Sequence, residues 1–121
     1  MDDAQQIQEK MRSLGERYLR RTYLEIDQME AALARLRAGS TDGLKELERM
    51  MHKIRGSGAM FGFATLSDCA AEGELLCASS QPDPSVIAKL ETHAREMRVH
   101  VLDAAKLHNI LLENGPASLH G

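Results

Sequence analysis

A single histidine lies among basic residues in one helix-forming stretch of the chain. His52 follows Arg49 by three residues, is followed directly by Lys53, and precedes Arg55 by three. Residues three apart share one face of an α-helix, so Arg49 and Arg55 flank the imidazole on its own side. A neutral imidazole, whose pKa is ordinarily about 6.5, offers a nucleophilic nitrogen at neutral pH. The surrounding cations would favour a strongly negative group, such as phosphoryl, on that nitrogen.

Two glycines follow the histidine inside the same predicted helix. Each glycine costs roughly 1 kcal/mol relative to Ala, so Gly56 and Gly58 need a reason. Gly58 faces the predicted core and permits close helix packing, whereas Gly56 faces outward beside Ala59. An exposed histidine alone is most often only a solvated residue, but an outward glycine allows another protein's backbone to approach. We therefore predict a docking surface formed by Gly56, Ala59, Lys45 and Glu48.

The helix that positions these residues is predicted from its apolar spacing. One stripe recurs at intervals of three and four residues and comprises Leu44, Leu47, Met51, Ile54, Gly58 and Phe61. At about 100° per residue, His52 lies about 140° from the centre of this stripe. The imidazole should therefore point into solvent.

Similar patterns predict five helical stretches, at about 3–13, 16–37, 42–60, 64–79 and 84–111. Gly15 separates the first two, and Gly39-Ser40-Thr41 offers a hydroxyl N-cap to the third. Asp83 is placed to cap the fifth helix, and Pro84 suits its first turn. We expect an all-α, up-down-up-down four-helix bundle with a short additional N-terminal helix, in one domain over 1–121 with its core at about 10–112.

Composition excludes several classes of protein. The 121 residues are 43% hydrophobic and have a net charge of -3, which argues against a disordered tail and against nucleic-acid binding by bulk electrostatics. No apolar run approaches the roughly 20 residues that cross a bilayer. Cys69 and Cys77 lack zinc-site spacing and are expected to be two reduced, packed thiols. These features predict a cytoplasmic protein.

Other reactive residues lack the partners that catalysis or metal binding needs. His93, His100 and His108 share a helix, but no carboxylate or cysteine completes a ligand set, so no metal site is predicted. Ser57 has no base and orienting acid, and a hydroxyl bonded to an upstream carbonyl is expected. The sequence contains no nucleotide-binding loop and no metal-binding Asp/Asn pair of a kinase. A nucleophile without that apparatus indicates a carrier that uses the active site of its partner.

The stretch His52-Lys53-Ile54-Arg55-Gly56-Ser57-Gly58-Ala59-Met60-Phe61-Gly62-Phe63 resembles the signature of histidine-containing phosphotransfer (Hpt) domains. In that family a basic residue, usually Lys, follows the phosphorylated histidine by three, and small residues come next. Arg55, Gly56, Ser57 and Gly62 occupy those places, with Arg55 replacing the usual Lys. Leu66, Cys69 and Glu74 also fall where the family's next helix commonly has Leu, a small residue and an acid or amide.

The resemblance implies a four-helix bundle phosphorylated on His52, with Arg55, Lys53 and Arg49 offsetting the phosphoryl charge. It implies docking to the receiver domain of a response regulator and to a hybrid sensor histidine kinase. The chain would not be an enzyme and would need no cofactor of its own, because the receiver would supply Mg²⁺. We expect a monomer that binds neither nucleic acid nor membrane. Two alternatives remain: a helical interaction module without phosphotransfer, and the phosphoacceptor domain of a chemotaxis-type kinase.

Overall fold

The computed structural model describes residues 2–108 and Leu112, and most of this part of the chain is helical. The four helices are α1 (Asp3–Arg37), α2 (Gly43–Met60), α3 (Ala64–Ser79) and α4 (Pro84–Leu107). Helices α1 and α3 each pack against both α2 and α4. Because short loops join consecutive helices, they form an up-down-up-down bundle. The predicted all-α class is confirmed for the described residues, which include no strand.

The core lies along one apolar stripe of each helix. On α2 the predicted stripe is confirmed, since Leu47, Met51, Ile54 and Gly58 are buried. The largest fully buried apolar side chains of the bundle are Leu19, Ile26, Met29, Leu33, Leu47, Met51, Ile54, Leu66, Leu90, Met97 and Val101. Burying each such side chain contributes about 1.5–3 kcal/mol, so packing rather than helix propensity holds the bundle together. None of the described helices is apolar over a long enough stretch to cross a membrane.

Helices α2 and α3 approach each other closely at two glycines. A Cβ on Gly58 would lie 3.4 Å from the Cβ of Ser67, and a Cβ on Gly73 would overlap the Met51 sulfur. The Ser67 hydroxyl also donates to the carbonyl oxygen of Arg55 across 2.6 Å. These contacts fix the position of α3 along the α2 axis. They thereby determine which α2 residues the α3 side chains lie beside.

The prediction of a separate N-terminal helix was wrong. Helix α1 continues for 35 residues, from Asp3 through Gly15 to Arg37. Glycine lowers helix propensity by about 1 kcal/mol but, unlike proline, removes no backbone hydrogen bond. The helix also has a strong start, because a capping box joins Asp2 and Gln5. The expected short helix is therefore the first part of α1.

The predicted hydroxyl N-cap of α2 was also wrong. Its N-cap residue is Asp42, and the Asp42 side chain makes no capping hydrogen bond. The amide of Ser40 donates to the carbonyl oxygen of Arg35 across 2.9 Å, so Ser40 takes part in the turn that caps the end of α1. Gly39, with φ 101°, reverses the chain there.

The predicted start of α4 is confirmed. The Asp83 carboxylate accepts from the amide of Val86 across 2.9 Å, and Pro84 occupies the first turn. The helix ends at Leu107, four residues before the predicted end, and Leu111 lies outside the described residues.

Candidate functional site

The exposed face of α2 presents His52 to solvent, as its spacing predicts. The His52 side chain is 63% exposed, while Met51 and Ile54 on the opposite side of the helix are buried. Arg49 and Lys53 are exposed beside it. The imidazole is thus accessible to another protein. It can attack a group that this protein holds and receive that group by transfer.

A carboxylate from α3 fixes the orientation of the ring. Oε2 of Glu74 lies 2.6 Å from Nδ1 of His52, and the Glu74 side chain is only 18% exposed. The imidazole thus has a carboxylate neighbour from α3 in addition to the basic residues of α2. Glu74 matches the family pattern, but its place in the site could not be predicted from the sequence, because no spacing within α2 indicates a contact from α3.

Glu74 also contacts the main predicted charge partner of the phosphoryl group. Oε1 of Glu74 is buried and lies 2.9 Å from Nη1 of Arg55, in an ion pair that lacks hydrogen-bond geometry. One carboxylate thus bridges the two α2 residues that are three apart. The Arg55 guanidinium is held next to the imidazole but remains about half exposed, at 48%.

The other basic residues of α2 differ in their partners. Nζ of Lys53 lies 3.5 Å from the Glu25 carboxylate on α1, whose side chain is 15% exposed. Arg49 and Lys45 are exposed and form no ion pair within the described part of the chain. Arg49 and Lys45 therefore have no competing carboxylate there when an anion approaches.

The predicted docking residues lie on the same side of α2 as His52 or at its edge. Gly56 and Ala59 are exposed, and a Cβ added to Gly56 would meet nothing within 4 Å. Lys45 is exposed and Glu48 is half-buried. The surface beside the imidazole is therefore low and open at Gly56.

Helix α1 supports the end of α2 that follows His52. The hydroxyl of Ser57 donates to the carbonyl oxygen of Lys53 across 2.8 Å, as predicted, and lies 2.9 Å from the Tyr18 hydroxyl. The Tyr18 ring stacks on Phe61 with centroids 4.7 Å apart. Burial raises the pKa of the Tyr18 phenol, which stays neutral and structural.

Comparison with known proteins decides the family. The family model described as the Hpt domain matches residues 2–110. This chain belongs to the Hpt domain family. Searches of curated proteins and of solved structures gave no match. The resemblance inferred from the signature that begins at His52 is thereby confirmed.

Membership defines the general role of the protein. Hpt domains are helical phosphocarriers that act between receiver domains and kinases in the phosphorelays of two-component signalling. The exposed histidine on α2 of this Hpt domain, the open glycine surface beside it and the bundle that supports them are consistent with that role.

The remaining reactive residues of this Hpt domain have structural surroundings. Cys69 and Cys77 are buried free thiols, and the Cys69 thiol lies 3.5 Å from the carbonyl oxygen of His93. Nδ1 of His93 donates to the carbonyl oxygen of Lys89 across 2.8 Å. Among the described residues, no three His, Cys, Asp or Glu side chains are grouped so as to hold a metal ion.

Proposed function

We propose that His52 is the phosphoacceptor of this phosphocarrier and that it reacts through Nε2. The contact between Nδ1 of His52 and the Glu74 carboxylate is the observation that most supports this proposal. A carboxylate can only accept a hydrogen bond, so Nδ1 holds the ring proton. The lone pair is then on Nε2, which points away from Glu74. A hydrogen bond from one ring nitrogen to a neighbouring residue commonly sets the tautomer in this way and leaves the other nitrogen free to act as the nucleophile.

In the forward step, Nε2 of His52 attacks the phosphorus of an aspartyl phosphate on a receiver domain. An N–P bond forms as the P–O bond to the aspartate breaks, and the aspartate leaves as a carboxylate. The ring keeps its Nδ1 proton and becomes cationic, so the Glu74 carboxylate at 2.6 Å balances the new charge. The reverse step transfers the phosphoryl group to the aspartate of a response regulator.

Charge stabilisation of the phosphoryl group is shared between this chain and its partner. Arg55 is adjacent to the ring through its ion pair with Glu74, and Arg49 and Lys53 flank it on the same helix. Phosphoryl transfer depends mainly on positioning and electrostatic stabilisation. We propose that the receiver's own active site supplies Mg²⁺ and that this chain needs no cofactor and has no independent enzymatic activity.

Docking of the receiver involves the low surface beside the ring. Gly56 and Ala59 permit close backbone approach, and Lys45 and Glu48 on the preceding turns provide polar contacts at its edge. Because one chain contributes every residue of this site, a single copy is sufficient for transfer. We propose a hybrid sensor histidine kinase as the source of the phosphoryl group and the cytoplasm as the place of transfer.

The direct experiment is incubation with a receiver domain phosphorylated on its aspartate with radiolabelled phosphate. The parent protein should acquire label that is lost in acid and stable in base, as expected for a phosphoramidate. The His52→Gln variant should acquire none, while its stability changes by less than about 0.5 kcal/mol, because the residue is exposed.

A matched control is His108→Gln, since His108 is also exposed and lies at the end of α4. This variant should be labelled like the parent. Label that persists in His52→Gln would disprove the assignment. Absence of label in the parent from every phosphorylated receiver tested would favour the helical interaction module instead.

A further inference from the structure

Exposed apolar side chains cluster at one end of the bundle, about two helical turns along α2 from His52. Of the eight large hydrophobic residues that are exposed in the described part of the chain, five belong to this end: Ile7, Met11, Leu14, Met60 and Leu107. Met11 and Met60 line one groove with Gly15 and with His108, the neighbour of Leu107. We call these five residues the apical patch.

The patch exists because α1 extends past the other helices. Tyr18 is the first buried residue of α1. Met11, Arg12, Gly15 and Glu16 still border Met60 and His108, and the residues before Met11 project beyond the bundle. From Asp3 to Lys10 this projection measures about 12 Å at 1.5 Å per residue. Ile7, Met11 and Leu14 continue the stripe of Tyr18 at spacings of four, three and four residues, the pattern of a helix–helix seam. The core-facing stripe of α1 is thus prolonged where no described helix covers it.

We propose that the apical patch binds the apical patch of a second copy of this chain, with the two α1 helices antiparallel. If Met11 of each copy faces Ile7 of the other, the seam is apolar along its length. The start of each α1 then meets the end of the other bundle, where Met60 and Leu107 are exposed. Antiparallel helices also align their macrodipoles favourably.

Charge at the edge of the stripe favours this orientation on balance. Asp3 lies about 50° and Arg17 about 90° from the stripe centre, on the same side, at 100° per residue. In an antiparallel pair of identical helices the same edges face each other. Asp3 of one copy then comes level with Gly15 of the other, less than one turn from Arg17. Both residues are exposed, and neither forms an ion pair within the described residues. The contact occurs twice by symmetry. Lys10 lies about 70° from the stripe centre on the same edge and comes level with Gln8 of the other copy. The two Lys10 side chains therefore repel each other once, whereas the attraction between Asp3 and Arg17 occurs twice.

The association should be weak and should leave the His52 imidazole open, while Met60 of the patch adjoins the docking residue Ala59. An interface of two short helical segments falls below the roughly 1,200 Å² of stable complexes, so we expect a dissociation constant between about 1 µM and 1 mM. Glu25 on α1 contacts Lys53, so His52 lies near the level of Glu25, well past the projecting segment. The monomer expected from the sequence is then the form present in dilute solution.

Sedimentation velocity of the full chain from 5 to 500 µM, in low salt, tests the proposal. The parent should shift from monomer to dimer as concentration rises. Met11→Lys should weaken the dimer at least tenfold, whereas the control Val99→Lys should not. The control is matched because Met11 is 58% and Val99 52% exposed, and Val99 is on α4 outside the patch. Circular dichroism should show that both variants keep the parent's helicity.

Charge reversal distinguishes a specific antiparallel pair from non-specific hydrophobic association of the patch. Asp3→Lys and Arg17→Glu should each weaken self-association, and an equimolar mixture of the two variants should recover the parent's dimer. A parent that is monomeric throughout, including one whose patch is covered by residues 109–121 of the same chain, would overturn the proposal. So would equal weakening by Val99→Lys, or a mixture no better than either variant alone.

Discussion

Oε2 of Glu74 on α3 lies 2.6 Å from Nδ1 of His52 on α2, so the reactive ring and the group that orients it come from different helices. The same carboxylate is 2.9 Å from Arg55. Its position depends on the tight packing of Gly58 against Ser67, which sets α3 against α2. Changes at this contact should therefore alter the chemistry of His52 without altering its exposure.

We expect Glu74→Gln to slow transfer less than Glu74→Ala does. The glutamine oxygen can still accept from Nδ1 of His52, but it does not balance the cationic ring. We expect a barrier higher by about 1–2 kcal/mol for Glu74→Gln, roughly five- to thirtyfold in rate, and a larger loss for Glu74→Ala. Rapid-quench transfer rates measure the loss, and nitrogen NMR of His52 reports the tautomer. If the Glu74→Ala variant kept the parent's transfer rate and His52 stayed protonated on Nδ1, Glu74 would have no orienting role.

Substitutions at Arg55 separate charge from bidentate contact. If charge dominates, Arg55→Lys should transfer at close to the parent rate, whereas Arg55→Ala should be slower by roughly five- to thirtyfold, or about 1–2 kcal/mol. We favour this outcome because Arg49 and Lys53 share the stabilisation. Transfer rates from one receiver at two salt concentrations decide it. If Arg55→Ala transferred at the parent rate at both salt concentrations, Arg55 would be removed from the site. If Arg55→Lys were as slow as Arg55→Ala, a bidentate contact by the guanidinium group would be favoured.

Gly56→Gln tests the docking surface. The variant should fold at least as well as the parent, because glycine is the poorer helix former by about 1 kcal/mol and a Cβ there meets nothing within 4 Å. It should still receive phosphate more slowly, since the new side chain intrudes where the receiver approaches.

Gly15→Gln is the matched control for that variant. Gly15 is also inside a helix with open space around its Cα, but it lies at the apical end of α1. Both variants should gain similar stability in urea unfolding, and only Gly56→Gln should lose transfer rate. Equal transfer kinetics in all three proteins would place the receiver elsewhere.

The sequence predicted what depends on a single helix. The spacing of Leu47, Met51 and Ile54 places His52 opposite the core, because one helical turn fixes all these directions together. The contact from Glu74 depends instead on how far α3 is shifted along α2. That shift results from close packing at Gly58 and Gly73. Packing between two helices cannot be derived from the residue spacing of one helix.

Local propensity also failed at Gly15, where it predicted a break. The penalty of one glycine is about 1 kcal/mol. The rest of α1 is anchored by buried residues such as Leu19 and Ile26, so the helix tolerates that penalty. Packing between distant residues thus decided the length of α1, and with it the projecting segment that bears the apical patch.

The two buried thiols should make the protein less stable at alkaline pH. Burial, helped by neighbouring carboxylates, raises the pKa of both Cys69 and Cys77 from 9.0 to about 12. Their folded-state pKa values exceed the unfolded values, so their contribution to stability is fully present below about pH 9 and is lost as pH rises toward 12. The free energy of unfolding in urea should therefore fall between pH 9 and 11. The double variant Cys69→Ala/Cys77→Ala should be less stable at pH 8 but should lose less over that interval. The pKa of the Tyr18 phenol, also raised by burial, gives the variant a residual slope of the same sign. Identical slopes for parent and variant would contradict the assignment of the alkaline loss to the two thiols.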